Sequence, residues 1–285
     1  MEPPIATADV ESPTARILAS TRVPPRPRRI ACLTEETVEI LYRIGAGDLV
    51  VGVSKYVVRP PEAASKPRLC AFVKADYEAV EAVRPDLVLC FSDLQAGIAA
   101  ECARRGMTVV VFNQRSVAEI LGVVLAVGAL VGCEDRARTL VEEMRSHLVS
   151  VSAAAARLPA RPRVHFEEWD EPLITGIRWV AELVEIAGGT YVHPTRCLAH
   201  AAADRVVSIE DVVAARPDVI LASWCGKPVR LDEIRRRPGF ASVPAVRSGR
   251  VHEIAPSTIL QPGPAALGDG LDEIHALIAA ASTGR

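Results

Sequence analysis

Aromatic residues are scarce in this chain: three Trp, four Tyr and five Phe among 285 residues. Any that gather at a cleft therefore carry information. An excess of one charge is also missing. The 33 Lys and Arg meet 35 Asp and Glu for a formal net charge of −2, which leaves no basic footprint for nucleic acid and no charged tail. No apolar run is long enough to cross a bilayer, and the longest, Ile120–Gly132, reads as a buried helix. The cysteines at positions 32, 70, 90, 102, 133, 197 and 225 form no C-x-x-C pair. That scatter suits reduced thiols acting as small hydrophobes better than a disulfide framework. The signatures G-x-S-x-G, H-E-x-x-H and the phosphate loop are all absent, so no familiar catalytic centre is expected. Gly45-Ala46-Gly47 follows a helical pattern instead of opening one, which makes it a helix cap and not a nucleotide site.

The first 27 residues hold six prolines and lack the apolar core of a secretion signal. They predict a stiff leader and a cytoplasmic protein. A periplasmic or lipid-anchored location is the alternative if translation starts elsewhere.

What is present is a repeat. Glu78–Cys90 (EAVEAVRPDLVLC) and Glu210–Ala222 (EDVVAARPDVILA) share seven of thirteen positions at a separation of 132 residues. Each copy reads as the end of a helix, a proline-broken turn and a short apolar strand. The proline is expected to push the preceding arginine, Arg84 or Arg216, towards an extended conformation. The runs Leu87-Val88-Leu89 and Val219-Ile220-Leu221 show no polar alternation, as in parallel strands covered on both faces. Two such units predict an α/β protein with two Rossmann-like lobes. Between them Glu134–Arg157 runs without Pro or Gly and places Ala137, Leu140, Val141, Met144, Leu148 and Val151 at helical spacing. The expected organisation is a leader (1–27), an N-terminal lobe (28–133), a single bridging helix (134–158) and a C-terminal lobe (159–285).

Three further phrases complete the pattern: Gly45-Ala46-Gly47-Asp48-x4-Gly52-Val53-Ser54, Glu182-Leu183-x-Glu185-x2-Gly188-Gly189, and Pro244-Ala245-Val246-Arg247-x-Gly249-Arg250-Val251. Together with the two lobes and the long helix, they resemble the helix-linked periplasmic binding proteins of ABC importers for cobalamin, haem and ferric siderophores. The likeness is nearest to the cobalamin-binding branch and covers about residues 28–280. It implies a non-catalytic protein, without a required cofactor, that holds cobalamin or another corrinoid between its lobes. The general rule for open α/β sheets also puts the ligand at the carboxyl ends of the strands. The resemblance further implies that Tyr56 and Phe72 are cleft aromatics. It casts Glu78 and Glu210, one per lobe, as the carboxylates that dock on an ABC permease. A monomer is expected. The second-lobe aromatic of the family is not recognisable in Arg196-Cys197-Leu198-Ala199-His200-Ala201.

Other candidates come from position. Trp169 and Trp224-Cys225 follow apolar strands, where cleft residues are drawn from, and a tryptophan offers a flat face to a macrocycle. Trp179 sits in a helical pattern and is expected in the core. His193, Cys197, His200 and Cys225 could converge on a metal or on an axial position of a bound metallocycle, with Cys197 and His200 the leading candidates. A chelatase-like enzyme, a cytosolic carrier and a ligand sensor are the competing functions. The acidic group Glu167, Glu168, Asp170 and Glu171 is expected to be solvated charge, because strand alternation separates Glu167 from Glu168.

Overall fold

The computed structural model describes residue 14 and residues 26–284. The expected leader therefore lies almost wholly outside the described residues. The first sheet contains β1 (Ile30–Cys32), β2 (Val50–Ser54), β3 (Arg68–Ala71), β4 (Lys74–Ala75), β5 (Leu87–Phe91) and β6 (Val109–Phe112) in the order β4-β3-β2-β1-β5-β6. Two of its adjacent inner strands, β1 and β5, are buried along their whole length, as unalternating apolar runs require. The second sheet places β7 (Arg163–Asp170), β8 (Leu173–Thr175), β10 (Val219–Ala222) and β11 (Val251–Glu253) in the order β11-β10-β7-β8, and β9 (Thr190–Tyr191) pairs with β7. Both sheets are mostly parallel and each carries one antiparallel pair, β3/β4 and β7/β8. Two lobes joined by a long helix are thus observed, with sheets that are mixed instead of purely parallel.

The two repeated units fold alike down to single hydrogen bonds. Asp86 accepts the backbone N–H groups of Arg28 (2.8 Å) and Arg29 (2.9 Å), and Asp218 accepts that of Arg163 (2.8 Å). Each aspartate therefore fixes the residue that leads the neighbouring strand. The guanidinium groups of Arg29 and Arg163 turn back onto the carbonyls that end the preceding helices, Val83 and Ala215. The arginines before the prolines are not extended, however. Arg84 (φ 44°) and Arg216 (φ 46°) are left-handed. A following proline forbids the right-handed helical region, and a helix that must stop and reverse takes the left-handed cap as the remaining route.

The bridging helix spans Glu134–Ala155, 22 residues or roughly 33 Å. Ala137, Leu140, Val141, Met144 and Val151 are buried on one of its faces. The lobes are also joined away from it. Val117 donates its backbone N–H to Glu182 across the lobes (2.7 Å), Gln114 donates to the Pro262 carbonyl (3.1 Å) and Ala265 donates to Glu39 (3.1 Å). One apolar cluster runs from Ile30 through the bridging helix to Ile278.

Candidate functional site

The strand ends of the two sheets face each other across a cleft. From the first lobe come Glu35 after β1, Tyr56 after β2, Phe72 after β3 and Arg115 after β6. From the second come Glu168 and Trp169 on β7 and Trp224-Cys225 after β10. The cleft has two chambers, of 370 Å³ and 400 Å³, that share Phe72, Cys225 and Leu260. These sizes fall in the range of small-molecule sites. Tyr56 reaches the opposite loop, since a Cβ added at Gly226 would lie 3.8 Å from its hydroxyl.

The first-lobe wall is fastened by one buried side chain. Gln95 donates to the carbonyls of Phe72 (2.7 Å) and Leu33 (3.1 Å) and accepts the N–H of Phe91 (3.1 Å). It so ties together the loops that leave β1, β3 and β5. Phe72 (φ 25°) and Ser92 (φ 66°) are held in left-handed backbone beside it. Strain of this kind, of order 1–3 kcal/mol, persists where the surroundings over-determine the chain, as at ligand clamps.

The second-lobe wall is an ion-paired aromatic platform. Lys227 lies between two indoles, 4.0 Å from the centre of Trp169 and 4.9 Å from that of Trp224, and pairs with Asp170. Burial works to raise the Asp170 carboxyl, but the Lys227 ammonium and backbone N–H groups together outweigh it and hold the group below its ordinary value. Trp224 is fully buried and gives its indole N–H to Glu167 (3.0 Å), which also binds the Arg237 guanidinium (2.9 Å). Glu168 receives two hydrogen bonds from Arg205, at 2.5 and 2.8 Å. The expected solvated acidic group is thus corrected. Glu167, Glu168 and Asp170 are at least partly buried and each is matched by a cation, whereas Glu171 is exposed as expected.

Arg115 pairs with Asp93 (2.6 Å) from the first lobe. Every cation lining the two chambers, Arg115, Arg205 and Lys227, is therefore already engaged by a carboxylate. The acids of the helix Glu35–Arg43 behave otherwise. Burial pushes Glu36 up to about 8, with Glu35 adding to the rise and the Thr34 hydroxyl (2.8 Å) opposing it. Burial also raises Glu35, which lines the cleft and has one oxygen without a hydrogen-bond partner.

Six residues singled out in the sequence lie on this cleft: Tyr56, Phe72, Trp169, Trp224, Cys225 and His200. Their roles differ. Tyr56 is 39% exposed at the rim, whereas Trp224 backs the wall behind Lys227. Trp169 belongs to β7 itself, because that strand runs to Asp170 instead of stopping at Glu167. Trp179 is buried in the core as expected, and its edge also reaches the cleft. The cysteines and histidines do not converge. Cys197 lies in a separate groove beside Leu198 and its thiol points to the Pro194 carbonyl (3.1 Å), while His193 packs against His165. Among the described residues no three His, Cys, Asp or Glu side chains are grouped to hold a metal ion. Glu78 and Glu210 are exposed, and each is the second residue of its helix, after the caps Asp76 and Ser208. Sequence reasoning missed Glu35, Arg115, Arg205 and Lys227.

These features define a two-lobed binding protein with its ligand site between the lobes. The chain belongs to the periplasmic binding protein family, whose profile matches residues 30–258. It is 25% identical to an uncharacterised ABC transporter substrate-binding lipoprotein of Bacillus subtilis, over 87% of this chain and 79% of that protein. It is 26% identical to a cobalamin-binding protein of Halobacterium salinarum, over 90% of this chain and 75% of that one. Among solved structures, the apo periplasmic haem-binding protein of Roseiflexus superposes with a TM-score of 0.77 at 22% identity. That match covers 90% of this chain and 99% of the other, a likeness of fold alone.

Proposed function

We propose that the protein is a non-catalytic binder of cobalamin or a related corrinoid. The observation that carries this reading is the charge state of the cleft. Arg115, Arg205 and Lys227 each already pair with a carboxylate, so the lining carries no excess of positive charge to recruit an anionic arm. Haem brings propionates and many ferric siderophores bring negative donors, whereas the corrin periphery carries neutral carboxamides. Aromatic faces at Phe72 and Trp169 suit a flat macrocycle. The cobalamin-binding relative from Halobacterium supports the same choice. The non-catalytic part of the reading is supported by membership of a family of binding proteins. Calorimetry with dicyanocobinamide, cyanocobalamin and haemin tests the proposal. Binding of a corrinoid in preference to haemin is expected, and no heat with either corrinoid would overturn it.

We also place the protein in the cytoplasm. Its seven thiols are all unpaired, which fits a reducing compartment. In that setting Glu78 and Glu210 serve a protein partner other than an importer's permease. Recovery of the protein in a periplasmic or surface fraction would overturn this placement.

A further inference from the structure

Glu35 has no counterpart among the ion pairs of the cleft. It is the first residue of its helix, only 7% exposed, and lines the 400 Å³ chamber with Tyr56, Phe72, Trp224 and Cys225. Its Oε1 is buried and meets no donor. A buried polar oxygen left in this way costs stability, and proteins rarely leave one without a use. Its neighbour Glu36 shows what a purely structural acid looks like here, since it turns inward and takes the Thr34 hydroxyl (2.8 Å). The cation lining the same chamber, Lys227, is paired with Asp170. The Ser54 hydroxyl, which accepts the Tyr56 N–H (3.2 Å), is the one hydrogen-bonding side chain beside the carboxylate and leaves Oε1 unpartnered, and Cys70, Cys225 and Glu36 carry neutral or negative forms.

We propose that Glu35 is a specificity-determining residue: its free oxygen receives an N–H donor of the bound ligand, a peripheral carboxamide in the corrinoid case, and disfavours a carboxylate at the same place. The inference rests on the corrinoid reading for the identity of the donor, but the discrimination by charge does not. An amide can give an N–H to Glu35 in either protonation state of the acid. A ligand carboxylate would face a second acid in a water-poor chamber and could stay only by trapping a proton, since Lys227, the cation of that chamber, is held by Asp170.

The test compares wild type with Glu35→Gln and Glu35→Leu at pH 8. The probes are dicyanocobinamide, the same macrocycle with its amides hydrolysed to carboxylates, and haemin. Gln keeps the shape and can donate as well as accept, so E35Q should tighten the carboxylate probe by about tenfold while E35L weakens dicyanocobinamide by about tenfold. Thermal melting confirms that each variant folds, and E35Q alone is decisive if E35L does not. Wild-type selectivity retained in both variants would overturn the role of Glu35 and leave the corrinoid reading standing. If wild type takes haemin and no corrinoid, that reading falls. Glu35 is then judged on haemin: tighter binding by E35Q supports the proposal and unchanged binding overturns it. A wild type that binds none of the three overturns both.

Discussion

Glu36 is the place where burial and charge conflict most openly, and replacing it with glutamine should stabilise the protein in a pH-dependent way. The side chain is 2% exposed, at the first turn of the first helix, and a Cβ on Gly263 would come within 2.7 Å of its own Cβ. Burial, reinforced by Glu35, lifts its carboxyl from the ordinary 4.5 to about 8. The folded state thus keeps a proton that the unfolded chain releases near 4.5. The stability contribution of that proton is fully present below 4.5 and is lost as the pH climbs to about 8. At about 1.36 kcal/mol for each tenfold change in proton affinity, the interval corresponds to an upper limit of roughly 5 kcal/mol. Local relaxation lowers this, so about 2–3 kcal/mol is expected at pH 8. Glutamine keeps an acceptor for the Thr34 hydroxyl, and Glu35, Cys32 and Cys70 remain in both proteins. Urea unfolding of wild type and E36Q at pH 5, 6.5 and 8 under reducing conditions measures the gap directly. The variant should be more stable at pH 8, with the difference shrinking towards pH 5. A gap of constant size, or a less stable variant at pH 8, would refute the argument.

Four other expectations can be tested. Phe72→Ala and Trp169→Ala should each weaken the bound ligand by about 2 kcal/mol, roughly thirtyfold in Kd by calorimetry. Trp224→Ala should act mainly on stability, by about 3–5 kcal/mol in urea unfolding, because the ring is fully buried. Because the lobes share a helix, an apolar cluster and the Val117–Glu182 bond, X-ray scattering should show little compaction when ligand is added, and a large change would contradict the rigid connection. Glu78→Ala with Glu210→Ala should leave corrinoid uptake by whole cells near wild type if the protein works in the cytoplasm, and lost uptake would restore an importer role.

The architecture was legible because its signals are local. Leu87–Phe91 and Val219–Ala222 are apolar without alternation, Pro85 and Pro217 mark the turns, and Glu134–Ala155 keeps helical spacing with no breaker. Each of these is decided by residues within one element. The left-handed Arg84 and Arg216 were misread because two local rules compete there: proline favours an extended predecessor, and a stopping helix favours a left-handed cap. The bond from Asp86 to the Arg29 N–H decides between them, and it joins residues 57 apart.

Trp169 and Trp224 could be placed from strand ends, and Tyr56 and Phe72 from the family resemblance, but the polar half of the cleft could not, and the reason is pairing at long range. Glu167 and Asp170 read as solvated charge because their cationic partners are remote in sequence. Their partners Arg237 and Lys227 stand 70 and 57 residues further on. Arg205 looked like an ordinary loop residue until Glu168, 37 positions earlier, met it inside the second lobe. Glu35 and Glu36 stand in the first turn of a helix, where the macrodipole favours any acid by roughly 0.3–1 kcal/mol, so no local signal marks them. What separates them from such acids is enclosure by Gly263, Trp224 and Cys225, more than 180 residues away along the chain. A local rule can say that a carboxylate is tolerated at a helix start. Whether it is solvated, paired or left facing a ligand is set by the lobe that closes over it, and in this protein that closure makes Glu35 the one lining acid of the two chambers with a buried oxygen still unpartnered.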